Sequence, residues 1–170
     1  MKEVYKSEAI ILSEVMDNCR NLTKWYLSHL KGVDSNKVFT FENGTQFNSI
    51  NWIVCHLGWA ENYLILKSTG GKPLDIKWLD NYALGKEMKQ GKDNNPDIKE
   101  ALSVLKEIHQ NSIEHLQTLS EQDLNEKNLI DVNFGGDNSK RMMIHHAIRH
   151  ESCHTGHLSW LCKLNNIKTI

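Results

Sequence analysis

The sequence contains His150-Glu151-Ser152-Cys153-His154, two imidazoles four residues apart with a carboxylate beside the first. On a helix that spacing is about one turn, so both rings can hold a single ion from one face. The pattern is His-Glu-x-x-His, in which two histidines bind zinc and the glutamate serves as general base of a metalloprotease. Such enzymes take a third ligand downstream, yet no carboxylate follows His154, and Gly156-His157 does not fit the longer continuation of the motif. Proteolysis is therefore the remote alternative, and Glu151 stays a candidate catalytic group that orients or deprotonates a water. A di-iron bundle is disfavoured because it needs paired Glu-x-x-His motifs, and Glu151 to His154 makes a single one.

Histidine is dense around this motif: of nine in the chain, five fall between His145 and His157. With His146 at zero on a helical wheel, His157 falls at about 20°, His150 at about 40° and His154 at about 80°. Met143, Leu161 and Leu164 share that arc, while Arg149, Ser152, Gly156, Ser159 and Lys163 gather opposite. The arc therefore points inward, where imidazoles cost free energy unless each finds a partner, and one divalent cation can satisfy several at once. A third ligand must come from another element. His56 shares a helical face with Ser49, Trp52, Ile53, Ala60 and Tyr63, so it can meet His150 and His154 across a core. The expected metal ligands are His56, His150 and His154, with His146 and His157 orienting them or moving protons.

The remaining candidates read more plainly. His29, His109 and His115 have no such partners and read as surface or core-edge residues, and His145 points to the rim. Cys55 and Cys153 each precede a proposed ligand, but adjacent residues project in different directions, so both read as packed thiols. Trp52, Trp59 and Trp160 could line a substrate pocket, although core packing is the commoner use of aromatics at helical spacing.

These residues need helices to position them. Ile11, Val15, Leu22 and Tyr26 predict one apolar face on a first helix from about Val4 to Leu30. After a connector over 33–46, Asn48 or Ser49 can cap a second helix that runs to about Leu66 and stops at Ser68-Thr69-Gly70-Gly71. A long, partly ordered crossover over 67–96 leads to a third helix beyond Asp97 that ends near Ser120. After a loop with Phe134-Gly135-Gly136-Asp137-Asn138, Ser139 can cap a last helix to about Leu164. Nothing suggests a sheet. The economical architecture is all-α, a four-helix bundle in one domain over 1–170 whose long crossover favours parallel second and third helices.

Composition narrows the function further. Lysine and arginine number 20 against 21 acids, in no long blocks, so the basic patch that nucleic-acid binding requires is missing. The Ala9-Ile10-Ile11-Leu12 run falls short of a signal-peptide core and no stretch approaches a membrane span, so a cytoplasmic protein is expected. Cys19, Cys55, Cys153 and Cys162 form no Cys-x-x-Cys pair and read as reduced thiols.

Asn51-Trp52-Ile53-Val54-Cys55-His56-Leu57, followed far downstream by His150-Glu151-Ser152-Cys153-His154-Thr155-Gly156, resembles the DinB/YfiT-like family over nearly the whole chain. The resemblance implies an up-down-down-up bundle, often a homodimer. It also implies one nickel, zinc or similar divalent ion on three histidines matching His56, His150 and His154, with an open position for water or substrate. Characterised members include metal-dependent hydrolases and enzymes that use low-molecular-weight thiols, and many members have no assigned reaction. The chain departs from the family at His157, where glutamine is common, which puts a changed pocket group or a fourth ligand there. The expectation is a metal-dependent hydrolase or thiol S-transferase acting on a small molecule; the alternative is a non-catalytic metal-binding stress-response module.

Overall fold

A computed structural model describes residues 6–87 and 95–169. Four long helices dominate it: α1 (Glu8–His29), α2 (Ile50–Glu61), α3 (Ile98–Leu116) and α5 (Lys140–Leu164), with a short α4 (Glu121–Asn125) between the last two. Each long helix begins where a side-chain oxygen can take a free N–H of the first turn. Ser7 accepts from Ile10, Ser49 from Trp52, Asp97 from Lys99 and Ser139 from Met142. Ser49, rather than Asn48, is thus the cap of α2. Beyond Glu61 the α2 ladder widens into a π-helical turn, Asn62–Lys67. Past it, the Ser68 and Thr69 hydroxyls bond back to the carbonyls of Leu64 and Ile65.

The helix directions follow from which residues meet. Glu8 pairs with Arg141 and Arg20 with Glu151, so α1 and α5 run parallel. Glu61 meets His109 and Thr69 meets His115, so α2 and α3 also run parallel. The start of α1 packs with Ala60, Leu64 and Ile65 and its end with Ile50, Ile53 and Leu57, making α1 and α2 antiparallel. The bundle is up-down-down-up, as expected.

Three local features depart from the sequence reading. The 33–46 connector holds a two-stranded antiparallel hairpin, β1 (Phe39–Thr40) and β2 (Gln46–Phe47). Its turn needs the left-handed backbone of Gly44, at φ 81°. Strands of two residues carry no alternation to read. The loop after α3 contains α4, started by a capping box between Ser120 and Asp123. The crossover contains a 3₁₀ turn, Leu79–Tyr82, whose Leu79 and Tyr82 are buried. Residues 1–5, where the first helix was expected to begin, and 88–94 of the crossover lie outside the described residues.

The largest correction concerns α1. Ile11 and Leu22, expected in the core, are 48% and 50% exposed, and Val15 and Trp25 are exposed as well. The helix buries Ala9, Leu12, Ser13, Met16, Arg20 and Thr23 instead. That face wins because Arg20 and Thr23 meet carboxylates inside the bundle, so their burial is compensated. Along each long helix one apolar cluster, with Leu57, Leu105 and Leu158, gives way to another, with Leu64, Leu116 and Met143. The polar residues of the site lie where the two meet.

Candidate metal centre

His56 sits on α2, His150 and His154 on α5, and the antiparallel packing of these helices brings the three rings together. Ring centroids are 5.0 Å apart for His56 and His150, 4.8 Å for His56 and His154, and 4.6 Å for His150 and His154. Each residue can offer one ligand atom such that all three lie within 4.8 Å of one another. The Nε2 atoms of His56 and His150 are 3.1 Å apart. At zinc-to-imidazole distances of about 2.05 Å, two cis ligands stand about 2.9 Å apart at a right angle and about 3.3 Å apart at a tetrahedral one. The observed separation falls between, so this pair can share an ion without moving far.

Each ring is aimed by its surroundings. His56 is 3% exposed and its Nδ1–H donates to the Tyr82 carbonyl at 2.7 Å, which leaves Nε2 as the free nitrogen. Trp52 stacks on the ring at 4.5 Å and 17°. The 3₁₀ turn of the crossover thus fixes a ligand candidate from outside the helix that bears it. His154 places Nδ1 at 3.2 Å from Nδ1 of His157, so Nε2 is the nitrogen it can present. His157 packs edge-on against Phe47 of β2 and is not among the converging ligand atoms of the described residues. His146 stacks face to face on Phe134 at 3.7 Å, with its ring 6.2 Å from His150.

Electrostatics favour the ligand form of all three. Burial pushes His56 below the usual imidazole range. Burial, helped by the neighbouring imidazoles, lowers His150 to about 4 and His154 to about 3. Neutral imidazole is the form that binds a metal.

Glu151 faces a different environment. Its carboxylate accepts from Arg20 Nε at 2.7 Å, from Arg20 Nη2 at 2.8 Å and from the Thr23 hydroxyl at 2.6 Å. Burial raises the carboxyl, but the Arg20 charge and these hydrogen bonds outweigh it and hold it below the usual range. Arg20 also donates to Glu61 at 2.8 Å, and Glu61 in turn meets His109, which reaches Asp17. Burial alone would lower the Arg20 guanidinium, yet the two carboxylates hold it above its ordinary value.

A sequence profile of the DinB superfamily matches residues 18–158, a span that includes the histidine cluster and its buried arginine. The chain belongs to the DinB superfamily. No curated protein and no solved structure matches it at a significant level. Among the described residues of this DinB protein, no helix is long and apolar enough to cross a membrane.

Within the DinB fold, several residues do other work than expected. His109 is buried between Glu61 and Asp17 rather than at an idle edge, and His115 is bonded to Thr69. His145 is exposed, as expected of a rim residue. Cys55 is buried, with its thiol pushed up to about 12 mainly by burial, whereas Cys153 is exposed instead of packed. Trp59 lines a cavity, Trp52 backs His56, and Trp160 is exposed under the Lys163 ammonium. Arg20 and Glu61 were missed. The available signal was a second α1 face, Ala9, Leu12, Met16, Arg20 and Leu27, on which a lone arginine interrupts apolar residues.

Proposed function

We propose that this DinB protein is a metal-dependent enzyme in which His56, His150 and His154 hold one divalent ion, nickel, zinc or similar, beside a small-molecule site. One observation carries the reading: the converging imidazoles lie at a cavity of about 760 Å³, which His56 and His150 help to line. That volume suits a small ligand. When bound, the ion would supply Lewis-acid activation of a water or a low-molecular-weight thiol. The chain's own residues do the rest. The Tyr82 carbonyl and His157 hold the His56 and His154 rings in orientation. His146, also on the cavity wall, is the nearby imidazole able to take or return a proton.

Glu151 is assigned no proton-transfer role, because Arg20 and Thr23 already occupy its oxygens. That removes the general base on which the protease alternative depends. A closed structural site, as in a non-catalytic stress-response module, needs a fourth ligand, and His157 is engaged with His154. A second copy would cover the exposed apolar residues Ile11, Val15, Leu22 and Trp25 of α1 and Trp160 of α5, giving a homodimer.

The test compares metal-loaded wild type with His150→Ala in two assays, conjugation of small thiols to electrophiles and ester or amide hydrolysis. Activity in one assay that is lost in His150→Ala supports the reading. Activity that survives the substitution, or none from fully loaded protein across both assays, contradicts it.

A further inference from the structure

The cavity beside the cluster has a chemical character of its own. One wall follows α2 and its π-helical turn, where His56, Trp59 and Tyr63 lie near-parallel in succession. The ring planes are 20° apart for the first pair and 13° for the second, with the Trp59 and Tyr63 centroids separated by 5.1 Å. Further along, Lys67 Nζ sits 5.4 Å from the Tyr63 ring centre. Phe134 and His146, themselves stacked at 13°, form another part of the lining. Charge in the lining comes from Lys67 and Lys86 against Asp80, a balance of one positive charge, and neither lysine has an ion-pair partner among the described residues.

A row of stacked rings turns edges toward the space beside it, and a flat ligand can meet those edges with its face, because edge-to-face contacts add to the burial of apolar area. An ammonium at the far end of such a wall attracts a negative group. Lys67 lies eleven positions beyond His56, about 16 Å along an ideal α-helix and less where the π-helical turn intervenes, so its ammonium stands beyond Trp59 and Tyr63 from the histidine cluster.

We infer that the cavity between α2, the 80–86 segment and the loop before α5 binds a planar aromatic or conjugated anion. Its negative group lies toward Lys67, and its flat body runs along Trp59, Tyr63 and Phe134 toward the histidines. The inference rests on the proposed reading of the histidine cluster as the reacting end, and it names the substrate class that reading leaves open. It also sets an orientation: the anionic group of the ligand is not the group presented to the ion.

The probe is 2-naphthoate, with 2-naphthamide as its uncharged counterpart. Binding is measured by calorimetry on chelator-treated and metal-loaded full-length protein, on Lys67→Glu and Phe134→Ala, and on His150→Ala. The expected result is naphthoate binding at least about tenfold tighter than naphthamide, weakened about tenfold by the exposed Lys67→Glu charge reversal and about fivefold by Phe134→Ala, and retained in His150→Ala. Equal affinity for the two probes overturns the inference. So does naphthoate binding that His150→Ala abolishes and Lys67→Glu leaves unchanged, since the carboxylate would then sit on the metal. If the wild type carries no metal yet binds naphthoate as described, the metal-dependent reading fails and the aromatic-anion site stands. If metal binds and naphthoate does not, the reverse holds.

Discussion

Replacing Arg20 with leucine should unfold much of what holds this bundle together. Arg20 is 1% exposed and its partners Glu61 and Glu151 are 3% and 4% exposed, with nitrogen–oxygen distances of 2.7–2.8 Å. Leucine leaves Glu151 buried without its cation and Glu61 with only His109, and breaking a buried pair from one side costs about 3–5 kcal/mol. Domains of this size are stable by only about 5–15 kcal/mol, so the loss is a large share of the whole. The assay is urea unfolding near neutral pH, followed by far-ultraviolet circular dichroism. Combining Arg20→Leu with Glu61→Gln and Glu151→Gln removes the orphaned charges and should recover most of the loss. The pH dependence has a definite sign. In the wild type the Glu151 carboxyl is held low, so its contribution is present above the unfolded value, about 4.3, and fades as pH falls through the lower folded value. In Arg20→Leu, burial acts on Glu151 without the Arg20 charge to outweigh it, the Thr23 hydrogen bond remaining, and raises it, so the penalty is largest near neutrality and eases as the pH drops. A cost below about 1 kcal/mol, the range of exposed pairs, would refute the reasoning by showing that these charges are solvated.

Other outcomes follow from the same structure. His150 and His154 are lowered to about 4 and about 3, so the unfolded chain takes up their protons first. Metal-free protein should therefore lose stability as pH falls from about 6.5 toward about 4, by up to about 1.4 kcal/mol per pH unit for each imidazole, and His154→Gln should flatten that slope in urea titrations. A methyl group at Gly71 would stand 2.9 Å from the His115 ring and from Leu66, so Gly71→Ala should cost about 1–3 kcal/mol in thermal or urea unfolding. Gly58→Ala, whose nearest neighbour would be 3.5 Å away, should cost no such overpacking penalty. Iodoacetamide should label the exposed Cys153 quickly and the buried Cys55 only on unfolding, as peptide mass mapping would read out.

The fold was legible where local chemistry acts alone. Ser49 and Ser139 are caps because a hydroxyl before an apolar run can do little else, and the histidine arc of α5 was readable because four imidazoles shared it with Met143 and Leu161. The convergence of His56 with His150 and His154 was also readable, from two inward faces that each carried imidazole. What sequence periodicity could not give was the outcome of competition between two faces of α1. Ile11, Val15 and Leu22 form the more apolar stripe, but Arg20 and Thr23 find carboxylates from α2 and α5 that no local window contains. The surroundings of Glu151 were hidden for the same reason: its motif suggests a catalytic base, while its partner Arg20 lies 131 residues earlier. The aiming of His56 by a carbonyl of the crossover is likewise a tertiary fact, since nothing about Tyr82 in the sequence points to α2.

Metal content and affinity of purified protein, by elemental analysis and cobalt titration, decide whether the three histidines hold an ion. The wild type should hold one ion per chain, and His56→Ala, His150→Ala and His154→Ala should each lose it. His157→Ala, which removes only the group orienting His154, should weaken binding by about 10–100-fold without abolishing it. A wild type that takes up no stoichiometric ion, or histidine variants that bind as tightly as the wild type, would contradict the account.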